Sequence, residues 1–328
     1  MQGEYQSASS IGRIGEPVFD RHNDRVKGFC TTVLEHSDGA MPFIEQARIV
    51  RDWRYASRIT LRFVTRYPLA ERTCLASSGI RKPNCFSPLG NFYSRGFETE
   101  YIPLSGEWQG YGVQYFGENS ARRIEQGNAV LKEDEIVFES LRTATSRDPF
   151  SKASERGYVT ELGIRSDGDI RQLFRLYQAV YRDYVFPLTE ENVAELVETP
   201  TSIVALARHG SGSIVSVAIA EIAEIETSRG LLRISELSDE ATDPSHRSNG
   251  LNQACVATLV NELLGRYGND IHLIFEEDRA CSRGVNQQSA NLGFRYAGRL
   301  NRHCRIDADR DVEVEGPYED LNVWFLPR

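Results

Sequence analysis

The chain has 328 residues, which is long for one hydrophobic core and predicts two domains of about 150 residues each. Its 40% hydrophobic and 26% charged residues are typical of a soluble globular protein. The net charge of -9 disfavours non-specific binding to nucleic acid or to an anionic membrane, because lysine and arginine dominate such binding. No apolar run reaches the roughly 20 residues that span a bilayer, and the polar start has no signal-peptide layout. We therefore expect a cytoplasmic protein.

The six cysteines are scattered, without the paired spacing of a metal site, and no histidine pair has ligand spacing. This pattern predicts reduced, packed thiols and no bound metal. The cysteines are Cys30, Cys74, Cys85, Cys255, Cys281 and Cys304.

A domain boundary is predicted near residue 150. A charge-rich helical segment covers 122–141, and the polar stretch 143–154 that follows contains a proline and no apolar period. We therefore expect an N-terminal α/β domain over 1–150 and a second domain over 151–328.

The second domain begins with a predicted strand at 158–165 and two helices. The first helix follows Asp167 and carries an apolar stripe. The second helix covers 189–197, with Thr189 as its N-cap. Three strands are predicted next, at 202–208, 213–225 and 231–242, and a hairpin turn at 209–212 joins the first two.

After these strands the pattern predicts a helix at 251–265 and a short strand at 271–275. Because a helix separates this strand from the one before it, we expect the two to be parallel. A short helix at 286–292 and two strands, within 295–306 and 321–326, complete the chain. The order predicts a mixed, mostly antiparallel sheet flanked by helices.

The most informative segment is an acid-bearing strand that leads into the turn Arg247–Gly250 and then a long helix. Free amides at a helix start, aided by the helix dipole, can bind a pyrophosphate, and Gly250 lets the backbone approach the anion. The alternative is an ordinary strand-to-helix connection in which Ser245 or Ser248 caps the helix.

This order of elements, with Arg-x-x-Gly after the third antiparallel strand, resembles the GNAT superfamily of acyl-CoA N-acyltransferases over 158–328. More narrowly, four segments resemble the β-lysine N-acetyltransferases: 235–242, 279–286, 292–300 and 319–324. The segments 13–26 and 93–103 suggest that the N-terminal domain is a degenerate acyltransferase-like half. We expect that half to lack CoA and to shape the amine pocket or a homodimer surface, or to be a purely structural cap.

The resemblance implies acetyl-CoA as co-substrate, bound around the turn. A backbone amide near Ala241 or Thr242 would polarise the thioester oxygen. Ser248 and Asn252 depart from the family pattern, which has small residues there, and Asn286 is either a CoA contact or a helix cap. The residues that we expect to bind CoA are Ala241, Thr242, Arg247, Ser248, Asn249, Gly250, Leu251, Asn252 and Asn286.

Acetyl transfer needs a neutral amine, and holding an ordinary alkylamine neutral at pH 7 costs about 4 to 5 kcal/mol. A nearby carboxylate is therefore expected, with Glu236 first and Asp239 or Glu240 in reserve. A β-bulge, common here in the family, would decide which acid faces the site. The alternative is that these acids are solvated or paired with Arg233 and Arg247.

The usual general acid of the family, a tyrosine, is replaced by Ser289. Ser289, Ser282 or water could protonate the leaving thiolate. The expected acceptor is a primary amine of a small amino acid or diamino acid, and the expected substrate-binding residues are Tyr181, Tyr184, Arg279 and Ser282.

The sequence leaves three other functions open. The first is a non-catalytic acyl-CoA-binding or assembly protein, and the second is a transferase that uses another acyl-CoA. The third is aminoacyl transfer from tRNA, which the acidic charge and the lack of a long heptad arm disfavour.

Overall fold

The computed structural model describes five strands before residue 117 and most of the chain from residue 134 onward. The later described residues are 134–142, 148–182, 184, 186–210, 212–227, 230–306 and 318–327. The predicted domain boundary stays a prediction, and the described part of the predicted helix at 122–141 is helical over 134–139.

The five N-terminal strands form a sheet of their own, in the order β1-β2-β3-β5-β4. Strands β2 and β3 are parallel, and the other neighbours are antiparallel. The segments 13–26 and 93–103, which suggested an acyltransferase-like half, are described only where these strands run through them. The bounds are β1 Val18–Asp20, β2 Arg25–Leu34, β3 Arg58–Thr65, β4 Phe97–Pro103 and β5 Gln109–Phe116.

The C-terminal half forms a seven-stranded sheet in the order β11-β12-β10-β9-β8-β7-β6. The pair β9–β10 is parallel and the other neighbours are antiparallel, as the sequence predicts. The predicted hairpin turn is confirmed, because the His209 and Gly212 amides close it. The bounds are β6 Val159–Leu162, β7 Ser202–Arg208, β8 Ile214–Thr227, β9 Gly230–Thr242, β10 Leu273–Arg279, β11 Arg295–Cys304 and β12 Glu319–Phe325.

Five labelled helices accompany this sheet: α1 Ser151–Ser154, α2 Asp167–Val180, α3 Glu190–Glu198, α4 Leu251–Tyr267 and α5 Arg283–Asn291. The predicted Thr189 cap is confirmed, since its hydroxyl accepts a hydrogen bond from the Asn192 amide at 3.1 Å. Helix α5 begins three residues earlier than predicted, and strand β10 begins two residues later and continues to Arg279.

The helices cover opposite faces of the sheet. Along β8, Val217 and Ile219 pack in the core under α2 and α3, while the alternating Ala218 and Ala220 pack under α4. Alternation along a strand explains this division, and the small alanines allow α4 to lie close to the sheet. Strand β9 is therefore buried on both faces.

Strands β9 and β10 part at the centre of this sheet. Their parallel pairing covers four residue pairs and ends at Leu237 opposite Glu276. Two residues later, β9 contains a bulge, because Asp239 and Glu240 together stand opposite one residue of β8. Asp239 has a φ of 52°, in the left-handed region, which explains the local kink. The bulge and the parting create an opening at the carboxyl ends of two parallel strands.

None of the described helices is both long and apolar enough to cross a membrane.

Candidate active site

The turn after β9 leaves the start of α4 uncapped by any side chain. Asp243 instead caps the 3-10 turn Pro244–His246, where its carboxylate accepts from the Ser245 amide at 2.8 Å. Gly250, with a φ of 74°, is the residue before α4. The alternative in which Ser245 or Ser248 caps α4 is therefore wrong.

The backbone amides at this turn are free of protein acceptors. No N–H group from 248 to 253 donates to any described residue, and the first bonded amide is that of Ala254, to the Gly250 carbonyl at 3.0 Å. Ser248 and Gly250 both have left-handed φ values, of 63° and 74°. Free amides and the positive end of a 17-residue helix make a site for an anion.

The side chains predicted to bind CoA point in several directions. Arg247 and Ser248 are exposed at the turn, whereas Asn249 and Leu251 are buried. The side-chain amide of Asn249 donates to the His246 carbonyl at 2.9 Å. Only the backbone N–H group of Asn249 is therefore left to bind an anion at the turn. Asn252 points away from the turn, since its side-chain amide donates to the carboxylate of Glu240.

One group of acids lies on the sheet face that α2 and α3 cover. Glu221 and Glu236 are directly opposite each other on β8 and β9, both buried, and Asp239 lies close to them. Burial and the Glu221 carboxylate raise the pKa of Asp239 to about 7, against the hydrogen bonds from Tyr184 and Ser238 that favour its ionised form. Asp239 is therefore poised to change charge near neutral pH.

Three tyrosines from α2 and the segment after it surround Asp239. The Tyr184 hydroxyl donates to its carboxylate at 2.5 Å and the Tyr177 hydroxyl to its carbonyl at 3.0 Å. The Tyr181 hydroxyl donates to the carbonyl of Glu240. The rings of Tyr181 and Tyr184 are 4.4 Å apart. Two predicted substrate residues thus border the first acid group.

A second group of acids lies on the opposite face, under α4 and α5. It contains Glu240, Glu276 and Asp278, and one carboxylate oxygen of each lies within 4.8 Å of the other two. Glu240 accepts hydrogen bonds from Asn252 and from Gln288, the latter at 3.1 Å. Within the described part of the chain, this spacing could hold a metal ion; the expectation of no metal stays a prediction.

Glu276 is the least satisfied of these acids. It is 1% exposed, and neither of its carboxyl oxygens accepts a well-formed hydrogen bond from a described donor. The nearby Ser289 hydroxyl donates instead to Asp278 at 2.5 Å. Burial and the neighbouring Asp278 and Glu240 carboxylates raise the pKa of Glu276 well above its ordinary value. Burial and the adjacent carboxylates therefore favour the protonated form of Glu276.

Several predicted residues have structural partners. Arg279 forms a two-point ion pair with Glu319, at 2.7 and 2.6 Å, and is 30% exposed. Ser282 stands at the N-cap of α5, but its side chain makes no capping hydrogen bond. Ser289, the possible general acid, is fully buried beside Asp278.

Asn286 is neither an N-cap nor a surface contact. It is fully buried, its amide group donates to the carbonyls of Arg279 and Ser282, and its oxygen accepts from Asn322 and Trp324. These four bonds use all of its hydrogen-bonding capacity, so none remains for CoA.

Sequence reasoning missed Glu221, Glu276, Asp278 and Tyr177. The available signal was the acidic run that follows the apolar start of β10, because ligands bind at the carboxyl ends of parallel strands. Glu221 had no such signal, since its importance comes from the strand that pairs with it.

The relatives of this chain support an N-acyltransferase, and its seven-stranded mixed sheet agrees with the GNAT fold expected from the sequence. No family model matches the sequence. A β-lysine N(6)-acetyltransferase of Methanosarcina mazei is 27% identical over 212 residues, which cover 59% of this chain and 70% of that protein. The N-acetyltransferase YodP of Bacillus subtilis is 27% identical over 225 residues, covering 67% of this chain and 72% of YodP.

Solved structures align with about half of this chain. Arabidopsis thaliana NAA60 in complex with acetyl-CoA has a TM-score of 0.42 at 13% identity, covering 51% of this chain and 97% of that chain. An N-acetyltransferase of Staphylococcus aureus has a TM-score of 0.38 at 15% identity, with coverages of 51% and 97%.

The buried acids predict that stability falls as pH rises. Because the pKa values of Asp239 and Glu240 are raised in the folded state, the folded protein keeps protons that the unfolded chain releases. The stabilisation that these protons give is complete below about pH 4 and is lost as pH rises through about 7. Glu276→Gln should raise stability at pH 8 by roughly 1 kcal/mol or more and weaken the pH dependence. Urea unfolding at pH 5 and pH 8 measures the stability and its pH dependence, with the variant Glu198→Gln, at an exposed acid of α3, as control. Equal pH dependence in Glu276→Gln and the parent would contradict a raised pKa of Glu276 in the folded state.

The left-handed backbone at Ser248 gives a second prediction. Such a φ costs a non-glycine residue about 1 to 2 kcal/mol, whereas glycine adopts it freely at some cost in unfolded-state entropy. Ser248→Gly should therefore stabilise the protein by up to about 1 kcal/mol in urea unfolding. Ser245→Gly, which loses a hydroxyl bonded to Asp243 at 2.5 Å, should not stabilise it. A less stable Ser248→Gly protein would show that the turn needs the serine.

Proposed function

We propose that the protein transfers an acetyl group from acetyl-CoA to a primary amine of a small amino acid or diamino acid. The reaction is a direct attack of the amine on the thioester, with both substrates bound at once. The names of the relatives support this choice, because one is a β-lysine N(6)-acetyltransferase and the other an N-acetyltransferase.

The observation that carries the proposal is the free-amide turn next to the opening between β9 and β10. Amides 248–253 would hold the CoA pyrophosphate, with Arg247 beside it. The pantetheine arm would then enter the gap that begins after Leu237 and Glu276. Described pairing between the two strands ends there, so β10 does not use the backbone groups of β9 beyond Leu237.

The acid group around Asp239 supports an amine as acceptor. Asp239 and the tyrosine rings beside it favour a cation, because burial and the Glu221 carboxylate destabilise the ionised Asp239 and a bound cation would offset that cost. An ammonium that binds there becomes the nucleophile after losing one proton. The second amino group of a diamino acid adds to the attraction.

Asp239 is the carboxylate that best fits the role of base. It lies in the bulge, where the strands part, and its pKa of about 7 matches a base that works near neutral pH. Glu236, the first choice from the sequence, lies where β10 still pairs with β9, opposite Phe275. It would act through its charge on Asp239.

The proposed reaction balances without a covalent enzyme intermediate. Asp239 takes a proton from the ammonium, the nitrogen forms a bond to the acetyl carbon, and the oxyanion is met by a backbone amide near Ala241 or Thr242. The carbon–sulfur bond then breaks and the thiolate leaves. Because the Ser289 hydroxyl is committed to Asp278, a water passes the second proton of the nitrogen to the leaving thiolate.

Acid variants should separate the roles of the carboxylates. We expect Asp239→Asn to lower kcat/KM by about 100-fold, as loss of a general base does, and Glu236→Gln to lower it by less than tenfold. Asparagine tolerates the left-handed φ, so the variant should fold. The assay measures thiol release from acetyl-CoA with β-lysine and a panel of diamines.

The matched control is Glu226→Gln, an exposed acid on β8, which should keep parental rates. Full activity in Asp239→Asn with a tenfold or greater loss in Glu236→Gln would make Glu236 the base. No thiol release from the parent with any amine would refute the proposed function.

The pH profile gives an independent check on Asp239. A base must be ionised, so kcat/KM should rise with pH and show an inflection near pH 7. This inflection should vanish in Asp239→Asn and persist in Glu240→Gln, whose carboxylate lies on the opposite face. An inflection that persists in Asp239→Asn would assign it to another group.

A further inference from the structure

Two cations lie against the free-amide turn from a segment that precedes the sheet. The side chain of Lys152, on α1, covers Gly250: a Cβ at that glycine would meet the Lys152 Cβ at 3.4 Å. Arg156, two residues after α1, donates to the side-chain oxygen of Asn249. Both cationic side chains are exposed, and neither forms an ion pair with a described acid.

A hydrogen-bond network fixes this segment to the turn. The Asn249 amide donates to the Tyr158 hydroxyl at 3.2 Å, and that hydroxyl is 2.9 Å from Nδ1 of His246. The rings of Tyr158 and His246 meet edge to face with centroids 5.7 Å apart. Arg156 is therefore held at the turn, and the stem of the exposed Lys152 side chain lies against Gly250 of the same turn.

The local charge differs from that of the whole chain, whose net charge is -9. Lys152, Arg156 and Arg247 are exposed around one turn. The acids near them are Glu155, which is exposed, and Asp243, whose carboxylate is bonded to the Ser245 amide and hydroxyl. The patch thus joins two cations of the segment before β6 to Arg247 of the turn itself.

The co-substrate carries a further phosphate, on the 3′ oxygen of its ribose, beyond the pyrophosphate. We infer that Lys152 and Arg156 bind this 3′-phosphate, so that the enzyme selects CoA esters over dephospho-CoA esters. The inference rests on the proposed use of acyl-CoA. A guanidinium and an ammonium suit a terminal phosphate, because they supply several charged donors to its oxygens.

Acetyl-dephospho-CoA tests this inference, since it lacks the 3′-phosphate alone. For the parent, kcat/KM should be at least tenfold higher with acetyl-CoA, the effect of a few charge-assisted hydrogen bonds. The double variant Lys152→Gln/Arg156→Gln should lose this preference while keeping its parental rate with acetyl-dephospho-CoA. The control Arg171→Gln/Arg175→Gln removes two exposed cations from α2 and should keep the preference.

Two outcomes would overturn the inference. Equal use of both esters by the parent would show that the 3′-phosphate is not recognised. An equal loss with both esters in the double variant would assign the cations to the pyrophosphate. If no amine is acetylated, calorimetric titration of CoA and dephospho-CoA into the parent and the double variant still tests the subsite, separately from the proposed function.

Discussion

The separation of one parallel strand pair is the constraint on which the candidate site depends. Strands β9 and β10 pair over four residues and then part, and the bulge at Asp239 and Glu240 lies immediately after the last pair. A sheet that continued its pairing would close the opening and satisfy the edge of β9. Because the pairing stops, backbone groups, acids from both strands and the start of α4 are grouped at one place. The 17-residue helix directs its positive end toward the same opening.

The acids at this opening differ from a structural buried acid in their pKa values and in their cation partners. Asp169 is buried too, but Arg208 donates to it at 2.7 Å, and the pKa of Asp169 is lowered despite the opposing effect of burial. Asp239 and Glu276 have no such cation among the described residues, and their pKa values are raised. Groups whose charged forms are destabilised in a cleft are common at functional sites. This unfavourable arrangement is consistent with a site that receives a cation or a proton during turnover.

The sequence was sufficient for features that depend on neighbours along the chain. The hairpin at 209–212, the Thr189 cap and the turn at Arg247–Gly250 all use local residue chemistry, and the structure contains each of them. Element boundaries were less accurate at α5, where Ser282, not Asn286, precedes the helix. Asn286 resembles a cap in sequence, but its bonds to Asn322 and Trp324 join it to a strand more than 30 residues away.

What the sequence by itself determined was the order of elements after residue 158, the parallel pair β9–β10 and the glycine turn, because periodicity, turn residues and helix starts act over a few residues. The tertiary structure decided which acids share a face. A single bulge reverses the alternation after Ser238, so Asp239 meets Tyr184 while Glu240 meets Gln288 on the other side. It also decided that Glu221, Glu276 and Asp278 join these groups, since strand pairing and helix packing bring together residues that no local pattern connects.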